Sequence, residues 1–207
     1  MPALQEEPDL VVTTVPGSRD SAAVVLLHGT GGDETQLLDV ASRACPGREL
    51  VGVRGRVPAE DGFAFFLRNP DRSLDEDDLA RGAHAVLRLL DRVQQEGRQP
   101  PVLLGFSNGA ITAAAVLAQD HRPVSGAVLL RPLSPQPGRR YPSLAGLPVL
   151  LIGGEDDERR DPRDAPLLAE QLRTAGARVT TRLLATGHLL TATDEGLVRG
   201  WLAGQGG

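Results

Sequence analysis

Pro101-Val102-Leu103-Leu104-Gly105-Phe106-Ser107-Asn108-Gly109-Ala110-Ile111-Thr112-Ala113-Ala114-Ala115-Val116-Leu117-Ala118-Gln119 is the stretch whose reading decides the fold. Its first part, Pro101–Phe106, is a short and nearly continuous aliphatic run, as expected of a strand covered on both faces. From Asn108 to about Gln119 it is alanine-rich, and alanine has the highest helix propensity. The two parts meet at Gly105-Phe106-Ser107-Asn108-Gly109. Small residues two before and two after the serine allow a sharp strand-to-helix turn past closely approaching backbones. Such a turn lifts the hydroxyl above the sheet edge at a helix N-terminus, where the dipole and free N–H groups favour a developing anion. Ser107 is therefore a candidate nucleophile; the alternative is a tight Ser-Asn-Gly turn without chemistry.

Outward from this stretch, short apolar runs alternate with longer helical patterns, which predicts a mostly parallel sheet wrapped by helices. Six more strands are expected, at Leu10–Val15, Ala22–His28, Leu50–Val53, Ser125–Leu130, Val149–Gly153 and Val179–Leu184. Ser73-Leu74-Asp75-Glu76 has the form of a capping box, opening a helix to about Glu96 that stops at Gly97. Leu79, Ala83, Val86, Leu87, Leu90 and Val93 form its apolar stripe. Further helices are expected at Ala165–Thr174, closed by Gly176, and at Glu195–Leu202, and the run Leu37 to Cys45 is helix-like. Arg54–Arg72 and Arg131–Leu147 read as long loops, the second carrying Pro132, Pro135, Pro137 and Pro142. With no internal repeat and no interdomain linker, residues 1–207 are expected to form one domain.

The bulk composition excludes several classes. A hydrophobic fraction of 41% and a charged fraction of 24% suit a soluble globular chain. A net charge of -5 leaves no electrostatic footprint for nucleic acid. All 22 basic residues are arginine. Cys45 is the single cysteine, so no intramolecular disulfide is available, and burial as a small hydrophobe is its expected state. The N-terminal segment Met1–Pro8 is polar and acidic, without the basic start and apolar centre of a signal peptide. No apolar run approaches a membrane span. A cytoplasmic protein is expected, with neither nucleic acid nor membrane as partner; a homodimer is compatible with the chain.

A serine hydroxyl needs a base, and the base needs an orienting acid; on a strand–serine–helix elbow the chain order is Ser, acid, His. Of His28, His84, His121 and His188, only His188 lies in a loop after a late strand, within Ala185-Thr186-Gly187-His188. The acid is expected just past Val149–Gly153, in Gly154-Glu155-Asp156-Asp157-Glu158, with Asp157 first, Asp156 as its alternative and Asp161 third. His28-Gly29-Thr30-Gly31-Gly32 follows an early strand, and its glycines allow a backbone N–H to face the nucleophile. The oxyanion donors expected are the main-chain N–H groups of Thr30 and Asn108. A phosphate cradle is the weaker reading of this loop, since there is no lysine and the spacing is not Gly-x-Gly-x-x-Gly. His28 is expected to brace the loop by hydrogen bonding.

Three of the four phenylalanines, Phe63, Phe65 and Phe66, fall in the Arg54–Arg72 loop, and Phe106 adjoins the serine. Phe63 and Phe65 are candidates for an apolar substrate wall, with Leu133 and Tyr141 opposite; Phe66 and Phe106 read better as core. Arg54, Arg68 and Arg131 are expected to pair with Asp75, Asp78 or Glu34 and hold the loops.

Several motifs together resemble the phospholipase/carboxylesterase family of α/β-hydrolases, especially the bacterial subgroup related to the hydroquinone-linked hydrolases of quinone-stress operons. They are His28-Gly29-Thr30-Gly31-Gly32-Asp33-Glu34, Arg54-Gly55, Phe65-Phe66-Leu67-Arg68, Leu74-Asp75-Glu76-Asp77-Asp78-Leu79, Gly105-Phe106-Ser107-Asn108-Gly109-Ala110, Leu130-Arg131-Pro132 and Gly187-His188, in order along nearly the whole chain. The resemblance implies an α/β-hydrolase fold in minimal form without a lid domain, a Ser-Asp-His triad, no metal or other cofactor, and carboxylic ester or thioester substrates. The family's acid keeps a set spacing from a later Gly-Ala pair, and counting back from Gly176-Ala177 lands on Asp157. The chain departs by carrying Glu158 where proline is common, with a proline displaced to Pro162. The expected activity is hydrolysis of a small carboxylic ester, short-chain acyl or aryl, through an acyl-enzyme. The alternatives are a thioesterase, a hydrolase of an aromatic-catabolism product or lactone, and a catalytically silent binding module.

Overall fold

All seven expected runs pair into one sheet in the computed structural model, which describes residues 10–95, 99–138 and 140–204. The acidic N-terminal segment and the expected helix end at Glu96-Gly97 lie outside the described residues. In chain order the elements are β1 (Val12–Val15), β2 (Val24–Leu27), α1 (Leu38–Ala44), β3 (Leu50–Val53), β4 (Val57–Ala59), β5 (Gly62–Ala64) and α2 (Glu76–Gln95). They continue as β6 (Val102–Phe106), α3 (Asn108–Leu117), β7 (Gly126–Leu130), β8 (Pro148–Gly154), α4 (Asp164–Thr174), β9 (Arg178–Leu184) and α5 (Ala192–Ala203). The sheet order is β1-β3-β2-β6-β7-β8-β9, with β1 antiparallel to β3 and the other pairs parallel. β6 is therefore the middle strand, and Ser107 follows its carboxyl end, the side on which open parallel sheets present ligands.

Period-two alternation inside the aliphatic runs builds two cores. Val25, Leu27, Leu103, Leu129 and Leu151 face α2, α3 and α4, while Val24, Leu26, Leu104, Leu130 and Ile152 face α1 and α5. Each such side chain contributes about 1.5–3 kcal/mol on burial, which is why these strands carry no polar alternation. The helix after Ser107 is buried on every side; its alanines let it lie against the sheet and against α2.

Two local expectations change. Asp75, not Ser73, caps α2: its Oδ1 accepts from Asp78 N–H at 2.9 Å, while the Ser73 hydroxyl donates to Asp71 at 2.6 Å. The Arg54–Arg72 loop also contains the β4–β5 hairpin, whose three-residue strands around Pro58 are too short to leave a periodic signal.

At the elbow, glycine is required by space. A Cβ on Gly105 would overlap the Gly109 carbonyl, and one on Gly109 would overlap the Leu27 and His28 carbonyls. Gly109→Ala should lower stability by about 1–3 kcal/mol, read as a lower urea midpoint. Gly196, inside α5 with nothing within 4 Å of its virtual Cβ, should behave oppositely: Gly196→Ala should raise stability by about 0.5–1 kcal/mol in the same assay.

Candidate active site

Ser107 has φ 53° and ψ -107°, a backbone conformation that side chains avoid at a cost of about 1–3 kcal/mol. Neighbouring strands hold it there. Ser107 N–H donates to Leu130 O at 2.9 Å, and Gly109 N–H donates to His28 O at 3.0 Å. The Asn108 side chain ties the same turn to the loop beyond β5, accepting from Phe65 N–H at 2.8 Å and donating to Phe66 O at 3.0 Å.

Three side chains from separate strand ends converge on this elbow. His188, in the loop after β9, has Nε2 2.9 Å from Ser107 Oγ. Its Nδ1 lies 2.9 and 2.8 Å from the two carboxylate oxygens of Asp157, which follows β8. An ionised carboxylate only accepts, so Nδ1 carries the proton and Nε2 presents its lone pair to the serine hydroxyl. The Asp157 side chain has no exposed surface and is further held by Arg159 N–H at 2.8 Å. Burial lowers the His188 pKa below its usual value; hydrogen bonding to Asp157 opposes this, and the nearby charges of Arg160 and Arg159 add to it. Asp156 is exposed and Asp161 pairs with Arg163, so neither candidate acid reaches His188.

Thr30 and Asn108 face the same cleft as Ser107. No described residue accepts from either main-chain N–H, which leaves both donors available to an oxyanion. The Thr30 loop is fixed from behind. Gly31 N–H donates to Phe63 O and Phe63 N–H to Gly32 O, both at 2.9 Å. His28 braces it from below: Gly55 N–H donates to Nε2 at 2.8 Å, so Nδ1 bears the hydrogen and donates to Gly29 O at 2.6 Å. Burial lowers the His28 pKa, in keeping with a neutral ring.

The expected substrate wall is corrected. Phe65 is fully buried beside the His28 ring, 4.9 Å between centroids, and Phe63 lies beneath the Arg54 guanidinium at 4.8 Å. Leu133 packs on the core shared with α2 and α4, and Tyr141 lines a separate cleft of about 660 Å³ with Leu167 and Glu170. The Phe65 ring packs on His28, which braces the Thr30 loop, and the Phe63 main chain bonds that loop directly. The cleft at Ser107, about 400 Å³, is instead walled by Ala59, Ala64, Phe66 and Leu67 with Glu60, Glu158 and four arginines, Arg68, Arg72, Arg159 and Arg160.

The arginine pairings also differ in part. Arg54 forms the expected fork on Glu34, both bonds 2.6 Å. Arg68 donates to Arg72 O at 2.6 Å, and Asp78 is taken by Arg56 and Arg81. Arg131 pairs with none of the expected acids. It is fully buried, donates to both oxygens of Asp194 at 2.7 and 3.0 Å, and also reaches Gly187 O at 3.0 Å and Leu189 O at 3.1 Å. It thus grips the loop on both sides of His188.

MhqD of Bacillus subtilis (strain 168), a protein classed among hydrolases, is 33% identical over 188 residues, 89% of this chain and 94% of that protein. The Bacillus cereus carboxylesterase superposes with a TM-score of 0.89 at 30% identity, covering 95% of this chain and 94% of its own. A carboxylesterase from Mesorhizobium loti gives 0.87 at 32% identity, with 97% and 98% covered. The chain belongs to the carboxylesterase branch of the α/β-hydrolases. No protein-family model matches it. It is an ester hydrolase, with the sheet and flanking helices of these relatives.

Among the described residues of this hydrolase, no cluster of His, Cys, Asp or Glu is placed to hold a metal ion, and no helix is long and apolar enough to cross a membrane. The sequence analysis missed the bracing role of the Asn108 side chain, Arg131–Asp194 and Arg160. One signal was available. Thr191-Ala192-Thr193-Asp194 is a capping box, and its Asp194 carboxylate, already held by Thr191 N–H at 2.8 Å, is the one Arg131 needs. Removing that partner with Asp194→Ala should strand a buried cation and cost about 3–5 kcal/mol in chemical denaturation, and kcat should fall as the His188 loop loosens.

Proposed function

We propose that this chain hydrolyses small carboxylic esters, with short-chain acyl or aryl groups, through a Ser107–His188–Asp157 triad. The observation that supports it most is the unbroken relay from Ser107 Oγ to His188 Nε2 at 2.9 Å and from Nδ1 to Asp157 at 2.8 Å. His188 takes the hydroxyl proton as Oγ bonds to the ester carbonyl carbon. The carbonyl oxygen becomes an oxyanion held by Thr30 and Asn108 N–H, two donors each worth about 3 kcal/mol in such sites. As the tetrahedral intermediate collapses, the C–O bond to the alcohol breaks and His188 protonates the departing oxygen. A water then gives its proton to His188 as it attacks the acyl carbon; the bond to Oγ breaks, His188 returns the proton to Ser107, and the acid is released. Asp157 keeps the imidazole in the tautomer that both steps need. A cleft of about 400 Å³ fits a short acyl or aryl group better than a long lipid chain. A cytoplasmic setting suits the same reading, because the single thiol, Cys45, is buried and free of any disulfide.

A fluorophosphonate should add one phosphonyl group to the folded protein, on Ser107, by intact mass; an unlabelled folded protein overturns the proposal. Ser107→Ala should cut p-nitrophenyl acetate turnover by a factor of about 10^3 or more.

The pH dependence has a definite sign. Neutral His188 is the active base, so kcat/KM is flat above its pKa and falls about tenfold per unit below it. Because burial sets that pKa under the usual 6.5, the acid limb should have its midpoint below 6.5. A midpoint above 7 in a kcat/KM profile contradicts this.

A further inference from the structure

Around Ser107, an acidic chain turns basic. Arg160 enters the cleft from the segment between Asp157 and α4, and its Nη2 donates to Ser107 Oγ at 3.0 Å. Its Nε donates to Arg131 O at 3.0 Å and its Nη1 to Arg159 O at 2.8 Å. All of these acceptors are neutral oxygens. Asp157 and Asp164 are close enough to be felt, yet neither forms an ion pair with Arg160. Burial and the adjacent charge of Arg68 bring its pKa down to about 10, which still leaves a cation at neutral pH. Arg72 and Arg159 line the same cleft, and neither guanidinium has a hydrogen-bond or ion-pair partner among the described residues. Glu60 and Glu158 are the two acidic residues of the lining, against four arginines.

A fastening role for the loop needs only the bond from Arg160 Nε to Arg131 O. It does not require a charged nitrogen on the nucleophile. Arg160 is buried near a second guanidinium and has no carboxylate hydrogen-bonded to it, which raises the cost of its charge; an incoming anion lowers that cost while filling the planar fork. Reach narrows the anion's position. A reacting carbonyl carbon sits about 3–3.5 Å from the serine oxygen, and a carboxylate oxygen sits about 2.7–2.9 Å from a guanidinium nitrogen. With Nη2 3.0 Å from Oγ, the carboxylate oxygen and the scissile carbonyl carbon are at most about 9 Å apart, within the span of a short dicarboxylic acid.

We propose that the ester turned over here carries its own carboxylate, docked on Arg160 with Arg68 behind it: a half-ester of a short dicarboxylic acid. This rests on Ser107 forming the acyl-enzyme, and it adds a substrate class to that reading.

The test compares monoethyl succinate with ethyl 4-methylpentanoate, a neutral ester of nearly the same shape, by pH-stat titration at low salt. The wild type should favour the anionic ester by at least about tenfold in kcat/KM. Arg160→Gln should reduce that ratio by about tenfold or more, chiefly through KM, and Arg160→Lys should recover part of it. Free succinate should inhibit p-nitrophenyl acetate hydrolysis competitively, and less so in Arg160→Gln. Thermal melts establish that the variants are folded. Equal or better turnover of the neutral ester, a ratio unchanged in folded Arg160→Gln, or no inhibition by succinate overturns the proposal. If Ser107 takes the fluorophosphonate and p-nitrophenyl acetate is hydrolysed while the anion gains nothing, only the substrate class is lost. If Ser107 is not labelled, the esterase reading itself fails.

Discussion

A guanidinium with no exposed surface must find acceptors for its N–H groups inside the protein, and Arg131 finds them in the loop that carries His188. β9, which leads into that loop, is an edge strand with partly exposed side chains, so the sheet alone holds His188 weakly. The fork onto Asp194 joins the end of β7 to the first turn of α5, and the bonds to Gly187 O and Leu189 O clamp the imidazole's neighbours between them. The Arg131 carbonyl then receives Arg160. One buried cation thus orders both His188 and the arginine at Ser107. Burying such a pair need not add net stability compared with apolar residues; what it secures here is geometry.

The elbow works by exclusion where Arg131 works by attraction. Gly105 and Gly109 let three stretches of backbone meet where no Cβ fits, and that contact keeps Ser107 at a positive φ. Around it, the Thr30 loop is suspended from His28, the β4–β5 hairpin and Gln36. The Thr30 and Asn108 N–H groups that face the cleft are main-chain groups, and their aim depends on bracing further out. The Phe65 ring, packed on His28, belongs to this bracing, while Phe66 lines the cleft.

The sheet was legible because its strands are covered on both faces. Continuous aliphatic runs such as Val102-Leu103-Leu104 have few other uses in a soluble chain, and all seven were placed to within a few residues. That Ser107 and His188 meet was legible from local context and chain order, and the third partner narrowed to neighbours that only geometry separates: Asp157 turns inward to His188, and Asp156 is exposed. What stayed hidden depends on partners distant in sequence. Nothing near Arg131 announces Asp194, and nothing near Arg160 announces Ser107. The substrate wall was misread for a related reason. A cluster of phenylalanines looks the same in sequence whether the rings face a ligand or hold up a loop. The capping error at Ser73 was local competition, since Asp71 offered its hydroxyl a nearer acceptor and left the helix start to Asp75.

Cys45 bears on the fate of activated acyl groups. Its thiol is buried, donates to Ala41 O at 3.0 Å, and has a pKa pushed up to about 11 by desolvation. At neutral pH roughly one thiol in ten thousand is then ionised, too few to compete as a nucleophile. The chain has no lysine, so no ε-amine competes either, and guanidinium groups hold their protons. Lysine and an accessible thiol, two side chains that scavenge reactive acyl donors, are thus absent or sealed away, and background acylation at amines and thiols of the side chains is lowered by composition and burial together.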